Sequence, residues 1–397
     1  MNKIIYISGT PISKISGKRH CPEWYCENGF DVEFWDLTEL YYKPGTLEKY
    51  FTPHSNFKYE FPTPREFKSK REVKIALSKI GKGVIFANID YNMQNDYWLR
   101  RLFKIYNILY FVGPIRTTDE CDRPAFGTRI SELTFSFSEL KLLCLRIYRT
   151  IIYKVKIAIY KNTNFYKKPE FVVGSGKLGR AEWIKAMKPK DYLSVPSVDV
   201  AWSSSPNIIG QKYCVYVDET VIYNADGMIG VAGRFVNSTS SDFETYLSNI
   251  CRMFDEVEKQ EKCRVVIAAS GKYRYKDDKI FGGRKIIYES TNQLIQNACL
   301  VLGHNSSGLF QAIIDKKRML LFTESTFLEL KNIRIKRTAD FLKLKLLKAE
   351  DFKASMLELS QIDGDHFDKL TELYFLEEGV SGDTKSLIKE KILEVIN

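Results

Sequence analysis

The sequence contains no run of eighteen apolar residues, so none of it reads as a bilayer-spanning helix. It has no repeat of fixed period and no low-complexity tract, which excludes a solenoid, a collagen-like fibre and a disordered chain. It is poor in histidine: His20, His54, His304 and His366 are the full set. Cysteine is present but unpaired in pattern. Of eight, only Cys21 and Cys26 stand close together, and no second pair completes a zinc motif. Several others sit in apolar runs, as in KYCVYV and ACLVLG, which predicts free buried thiols rather than a disulfide framework. In the opening MNKIIYISGTP, charge and a Pro-Gly-rich loop interrupt the short apolar run, unlike a secretory signal, so a cytoplasmic protein is expected.

What is there is an ordinary globular composition. The chain has 397 residues, 44% hydrophobic and 27% charged, which suggests two or three domains. Aromatics reach 13%, with 25 Phe and 23 Tyr, enough to fill large cores and still line clefts. The formal charge of +11 points to anionic partners: phosphates, nucleotides or acidic lipid. No nucleic-acid module is recognisable.

Short apolar runs alternate with helical stretches. KIIYIS, FDVEFWDL (30–37), GKGVIFANID (81–90), ILYFVGP (108–114), PEFVVGSG (169–176) and LSVPSVDVAW (193–202) read as strands. The pattern restarts with KYCVYVDE (212–219), CRVVIAAS (263–270), RKIIYES (284–290), CLVLGH (299–304) and RMLLFTE (318–324). Between the first two lies DFETYLSNICRMFDEVEKQ (242–260), an amphipathic helix. The alternation predicts an α/β fold of two Rossmann-like domains facing a cleft. Their bounds are 1–208 and 209–378, with a C-terminal helix, 379–397, packing back on the first.

The stretch 140–168 stands apart. It carries Lys141, Arg146, Arg149, Lys154, Lys156, Lys161, Lys167 and Lys168 and no acid. On a helix, Leu140, Leu143, Ile147, Ile151, Val155 and Ala158 form one stripe. Such a segment suits an anionic membrane surface, so a peripheral protein at the inner face of the cell membrane is expected.

The most informative stretch is CLVLGHNSSGLFQAII (299–314). A strand ends at Gly303-His304, and a helix opens near Ser306-Ser307, with Gly308 keeping the turn open. Unpaired N–H groups and the helix dipole at such a start favour a phosphate. Asp218 and Glu219 end another strand, where acids of an α/β domain face the ligand cleft. Either would serve as general base for a hydroxyl nucleophile.

The order of these elements, with VLGHNSSG, AII and RMLLFTE, resembles the C-terminal half of bacterial surface-polysaccharide glycosyltransferases of the GT-B fold. IIYISGTPIS and FDVEFWDLTELYY resemble their N-terminal halves. More distantly, the chain is similar to transferases that use CMP-linked sialic acid or Kdo. The resemblance implies a nucleotide-sugar donor on the C-terminal half and a glycan or lipid-linked glycan acceptor on the N-terminal half. The serine pair that holds the donor phosphate in those enzymes matches Ser306-Ser307, and their acidic pair matches Asp218-Glu219. Their His-Pro pair is replaced by Ser270-Gly271, followed by Lys272 and Arg274, which would meet the phosphate charge. Gly303, His304, Asn305, Glu324 and Ser325 complete the expected donor side. Ser8, Gly9, Thr10, Gly174, Ser175, Gly176 and Lys177 form the expected acceptor side. No cofactor or metal is expected. Asp363-Gly364-Asp365 reads as a capped loop rather than a metal motif.

Two other readings remain. Gly174, Gly176 and Gly179 follow a strand in the G-x-G-x-x-G pattern, with Asp199 about twenty residues on, so an NAD(P)-dependent sugar-modifying enzyme is one. A non-catalytic scaffold of the same fold is the other.

Overall fold

A computed structural model describes residues 2–42, 45–54, 57–88, 97–114, 155, 158–220, 240–327 and 329–397. Two wholly parallel sheets organise it. The first holds β1 (Asn2–Ser8), β2 (Phe30–Asp36), β3 (Arg65–Glu66), β4 (Val84–Asn88), β5 (Leu109–Val112), β6 (Phe171–Gly174) and β7 (Asp191–Ser194), in the order β3-β2-β1-β4-β5-β6-β7. The second holds β8 (Tyr213–Asp218), β9 (Arg264–Ala269), β10 (Ile286–Tyr288), β11 (Leu300–Gly303), β12 (Met319–Thr323) and β13 (Leu346–Lys348), in the order β10-β9-β8-β11-β12-β13. Each order reverses next to the first strand of its sheet, as in doubly wound nucleotide-binding folds.

Parallel strands must be covered on both faces, and these sequences supply apolar side chains to both. In β1, Ile5 and Ile7 enter one core with Trp35 and Phe86, while Ile4 and Tyr6 enter the other with Phe34 and Phe111. In β8, Val215 and Val217 face one way, Cys214 and Tyr216 the other. The helix Ser240–Glu261 covers the second face with Tyr246, Ile250, Met253, Phe254 and Val257, all buried at helical spacing. The expected strand over 193–202 is shorter: Val195 still donates to the neighbouring strand β6, but the Ser197 N–H turns to the Phe375 carbonyl instead.

Residues 195–212 lead from the first sheet to the second. The chain then crosses back. Helix Thr384–Ile396 lays Ile388 and Ile392 on the first sheet among Tyr25, Phe171 and Val195. Its start is fixed by Thr384 Oγ1 donating to the Pro196 carbonyl at 2.8 Å and by Tyr25 donating to the Lys385 carbonyl at 3.2 Å. Ile392 is fully buried. We expect Ile392→Ala to cost about 2–5 kcal/mol, the usual range for emptying such a site, seen as a lower urea midpoint.

Of the basic stretch 140–168, residues 140–154 and 156–157 lie outside the described residues. Its described part turns Tyr160 inward, where the hydroxyl donates to the Met187 carbonyl at 2.6 Å, and leaves Val155 and Ala158 exposed. Among the described residues, no helix is long and apolar enough to cross a membrane.

Candidate active site

Ligands of doubly wound sheets bind beyond the strand ends where the order reverses. In the second sheet that point lies between β8 and β11, which pair Cys214 with Leu300 and Tyr216 with Leu302. The acidic pair follows β8, and the loop Gly303–Gly308 follows β11. The structure joins them directly. Glu219 Oε1 accepts from the Asn305 N–H at 2.6 Å. Lys331, from helix Glu329–Leu342, bonds both to Glu219 Oε2 and to Asn305 Oδ1. Burial pushes the Glu219 carboxyl up, but Lys331 and the Asn305 N–H outweigh it, so its pKa lies below the usual value.

Asp218 is 4% exposed and behaves differently. Its carboxylate accepts from the Tyr275 hydroxyl at 2.6 Å and from the Thr220 N–H at 2.9 Å. Burial pushes its pKa up to about 6, with these two hydrogen bonds pulling the other way. The two neighbours are thus split: the Glu219 carboxyl is held below its usual value and that of Asp218 above it. Widely separated environments for adjacent carboxyls are the pattern of an acid–base site.

Ser306 accepts from the Gly308 N–H at 3.2 Å and caps the short turn Ser307–Leu309, which runs into helix Phe310–Ile314. Asn305 to Gly308 are half-buried at this edge. Gly308 is tightly enclosed: a Cβ there would lie 2.9 Å from Thr291 Cγ2 and 3.2 Å from Val217 Cγ1, so a side chain requires those neighbours to shift.

Two expected donor contacts are turned inward. His304 is fully buried. Its Nδ1 meets the Phe322 carbonyl at 2.7 Å, so that nitrogen carries the proton and Nε2 accepts from Tyr216 at 3.1 Å. Burial lowers its pKa to about 4. It orients the loop and presents no atom to the cleft. Glu324, 1% exposed, accepts from Asn249 at 2.5 Å and from the Thr326 N–H at 2.7 Å, closing the turn after β12; Ser325 beside it is exposed.

Ser270–Tyr275, after β9, is where the two halves meet. Ser270 caps the Lys272 N–H at 3.2 Å. Arg274 stacks on Tyr288 at 4.0 Å, pairs with Glu289 at 3.0 Å, and donates its backbone N–H to the His54 carbonyl at 2.8 Å. A Cβ on Gly271 would lie 3.0 Å from Ile15. On the first half, Ser8 closes a tight turn with Thr10, donating to its carbonyl at 2.8 Å and accepting from its N–H at 3.1 Å, with Gly9 beneath the Tyr41 ring.

The loop Gly174–Lys177, expected on the acceptor side, is enclosed by protein except at Lys177. Gly174, Ser175 and Gly176 are buried. Gly176 has φ +69°, and any side chain there would collide with the Leu373 carbonyl. Lys177 pairs with Glu372 and Arg180 with Glu377. The space a dinucleotide pyrophosphate would need is filled by protein, and Asp199 is paired with Arg19 instead of awaiting a ribose.

Sequence patterns missed Asp36, Tyr275 and Lys331 as site residues. Asp36 ends β2 opposite Ser8, is 3% exposed, and accepts from the Thr38 N–H at 2.8 Å and the Ile12 N–H at 3.3 Å. Burial pushes it up to about 6. It carried the same signal as Asp218, an acid at a strand end. A cavity of about 610 Å³ also opens between the first sheet, the segment after β7 and the start of the returning helix. Tyr6, Tyr25, Phe111 and Trp202 line it, with Lys18 and Lys385 among the polar groups.

No protein-family model matches the chain, and no curated protein matches its sequence. Solved structures do match. UGT89C1 of Arabidopsis thaliana, solved with UDP, superposes with a TM-score of 0.51 at 11% identity over 100% of both chains. The wall teichoic acid polymerase TagF gives 0.48 at 11% identity, covering 100% of this chain and 88% of that one. The UDP-GlcNAc 2-epimerase of Methanocaldococcus jannaschii gives 0.43 at 10% identity over 100% of both. At such identity the likeness is one of architecture. The chain has the GT-B fold: two Rossmann-like domains with their strand ends turned toward each other.

Proposed function

We propose that the protein is a glycosyltransferase of surface-polysaccharide assembly. It moves a sugar from a nucleotide donor, a CMP-linked acidic sugar in the first place, held by the second half, to a glycan or lipid-linked glycan acceptor. The observation that carries this reading is the junction of Asp218-Glu219 with the loop Gly303–Gly308 at the reversal point of the second sheet. Asp218 takes the proton from the acceptor hydroxyl, whose oxygen attacks the anomeric carbon from the side opposite the leaving nucleotide, inverting it without a metal. Glu219, fixed by Lys331, holds Asn305 and so sets the loop. The N–H groups of Ser306 and Ser307, with Lys272, meet the charge on the departing phosphate. The aromatic cavity of the first half, within the usual range of about 300–1,000 Å³, takes the acceptor.

Membrane docking belongs to the same reading. Within the described part of the acid-free basic stretch, Val155, Ile159 and Phe165 are exposed at 52%, 37% and 47%. A lipid-linked acceptor would be reached from an anionic surface in that way.

Titration calorimetry with CMP, CDP and UDP tests the donor site. Ser306→Ala/Ser307→Ala should bind the preferred nucleotide at least tenfold more weakly, since a hydrogen bond to a charged group is worth about 1.5–3 kcal/mol. Its far-ultraviolet circular dichroism should match the parent. An unchanged Kd removes the serine pair from the site. Failure of the parent to bind any nucleotide leaves a scaffold as the reading.

A further inference from the structure

At the opposite end of the second sheet, Cys214, Cys263 and Cys299 come together. They lie 36 to 85 residues apart in sequence, on or just before β8, β9 and β11. Their sulfurs form a near-equilateral triangle: 3.5 Å for Cys214–Cys263, and 3.7 Å for both Cys214–Cys299 and Cys263–Cys299. Among the described residues they are the one group of three or more His, Cys, Asp or Glu side chains with this convergence.

The triangle has the dimensions of a metal face. With zinc–sulfur bonds of ~2.3 Å and tetrahedral angles, ligand sulfurs stand ~3.8 Å apart. Cys214 is fully buried, while Cys263 and Cys299 are half-buried, so the open side of the triangle reaches solvent for entry and for a fourth ligand. Lys212 lies close enough for its charge to act on Cys263 and Cys299, and is itself anchored to the Glu261 carbonyl at 2.8 Å. In the metal-free state the Cys299 thiol donates to the Tyr213 carbonyl at 3.1 Å, a bond that a metal–sulfur bond would replace.

We propose that this triad binds a soft, thiolate-seeking cation, zinc(II) in the first place, with water as the fourth ligand. Binding replaces three thiol protons, which leave to solvent, and forms three metal–sulfur bonds with no change of oxidation state. The resulting charge of −1 falls beside Lys212, which shares the single Glu261 carboxylate with Arg318 and so leaves one positive charge to meet it. The site ties together the N-terminal ends of the three strands whose other ends carry Asp218-Glu219, Ser270–Tyr275 and Gly303–Gly308. It therefore acts as a clamp beneath the candidate active site and takes no part in its chemistry, and it stands or falls independently of the proposed transferase activity.

The full chain, reduced and freed of metal with a chelator, is titrated with Zn²⁺ and separately with Co²⁺. We expect one equivalent of zinc to survive gel filtration by elemental analysis. Cobalt should give an intense thiolate-to-metal charge-transfer band and tetrahedral ligand-field bands. The melting temperature of the parent should rise with zinc. Cys263→Ser and Cys299→Ser, at half-buried positions tolerant of the swap, should each lose at least tenfold in zinc affinity and lose the cobalt charge-transfer band, whereas Cys251→Ser keeps both. Equal zinc retention by the Cys263 and Cys299 variants overturns the proposal. So does a zinc-treated parent whose three thiols still react freely, or a parent whose mass under non-reducing conditions shows two of them joined as a disulfide.

Discussion

Asp218→Asn should lose about 10²–10⁴-fold in kcat and yet melt no lower than the parent above pH 6. The carboxylate is buried, and burial holds its pKa near 6, above the ordinary value of 3.8. An acid whose folded pKa lies above its unfolded one lowers the stability of the fold at pH values above the folded pKa. That penalty fades as pH falls from about 6 toward 4, where the folded form is protonated and the unfolded form still ionised. At ~1.36 kcal/mol per pKa unit, two units correspond to about 3 kcal/mol at pH 8. Asparagine removes the buried charge and keeps the size. Its oxygen still accepts from the Thr220 N–H, and its amide donates to the Tyr275 hydroxyl. Thermal melts of parent and variant at pH 5 and pH 8, beside steady-state transfer, check both halves. The gap in melting temperature should open toward pH 8 in favour of the variant. A variant that melts much lower and keeps its kcat would show that Asp218 only braces the turn to Tyr275, and Asp36 would become the next candidate for the base.

Lys331→Met should destabilise the protein by about 3–5 kcal/mol, the usual result of removing one partner of a buried pair. The Lys331 and Glu219 side chains are 5% and 14% exposed, and the ammonium also holds Asn305. Its loss leaves an uncompensated carboxylate below the loop. The double variant Glu219→Gln/Lys331→Met removes both charges and should recover most of that stability, because no charge is then buried and the Gln oxygen still accepts from the Asn305 N–H. Urea unfolding of the parent, the two single variants and the double variant completes the cycle. Equal losses in Lys331→Met and in the double variant would mean that the ion pair is not what the lysine provides. Donor binding should weaken in both, because Asn305 loses its anchor on the loop.

The fold was legible because strand and helix signals were long and periodic. The run KYCVYVDE and the stripe Tyr246, Ile250, Phe254, Val257 specify their own burial, and both appear as expected. Position in the sheet then accounts for Asp218, Glu219 and Ser306, since strand ends meet wherever parallel strands are neighbours. What stayed hidden depended on contacts across long separations. Nothing near Lys331 signals Glu219, 112 residues away, and nothing near Gly176 signals the carbonyl of Leu373. His304 illustrates a different difficulty. Its place at a strand end suggests a ligand contact, and only the Phe322 carbonyl and the Tyr216 hydroxyl reveal that the ring points into the core.

The returning helix Thr384–Ile396 has a consequence for the order of folding. The first sheet cannot close the face lined by Tyr25, Phe171 and Val195 until Ile388 and Ile392 arrive. All seven strands of that sheet are translated by Ser194. At ~5–20 residues per second, a ribosome needs roughly another 10–40 s to reach the helix. During that interval the nascent first half presents an apolar surface to the cell while the second half is still being made. Truncation before Thr384 should therefore harm the half that is synthesised first, and yield chains that are captured by chaperones rather than a free second domain.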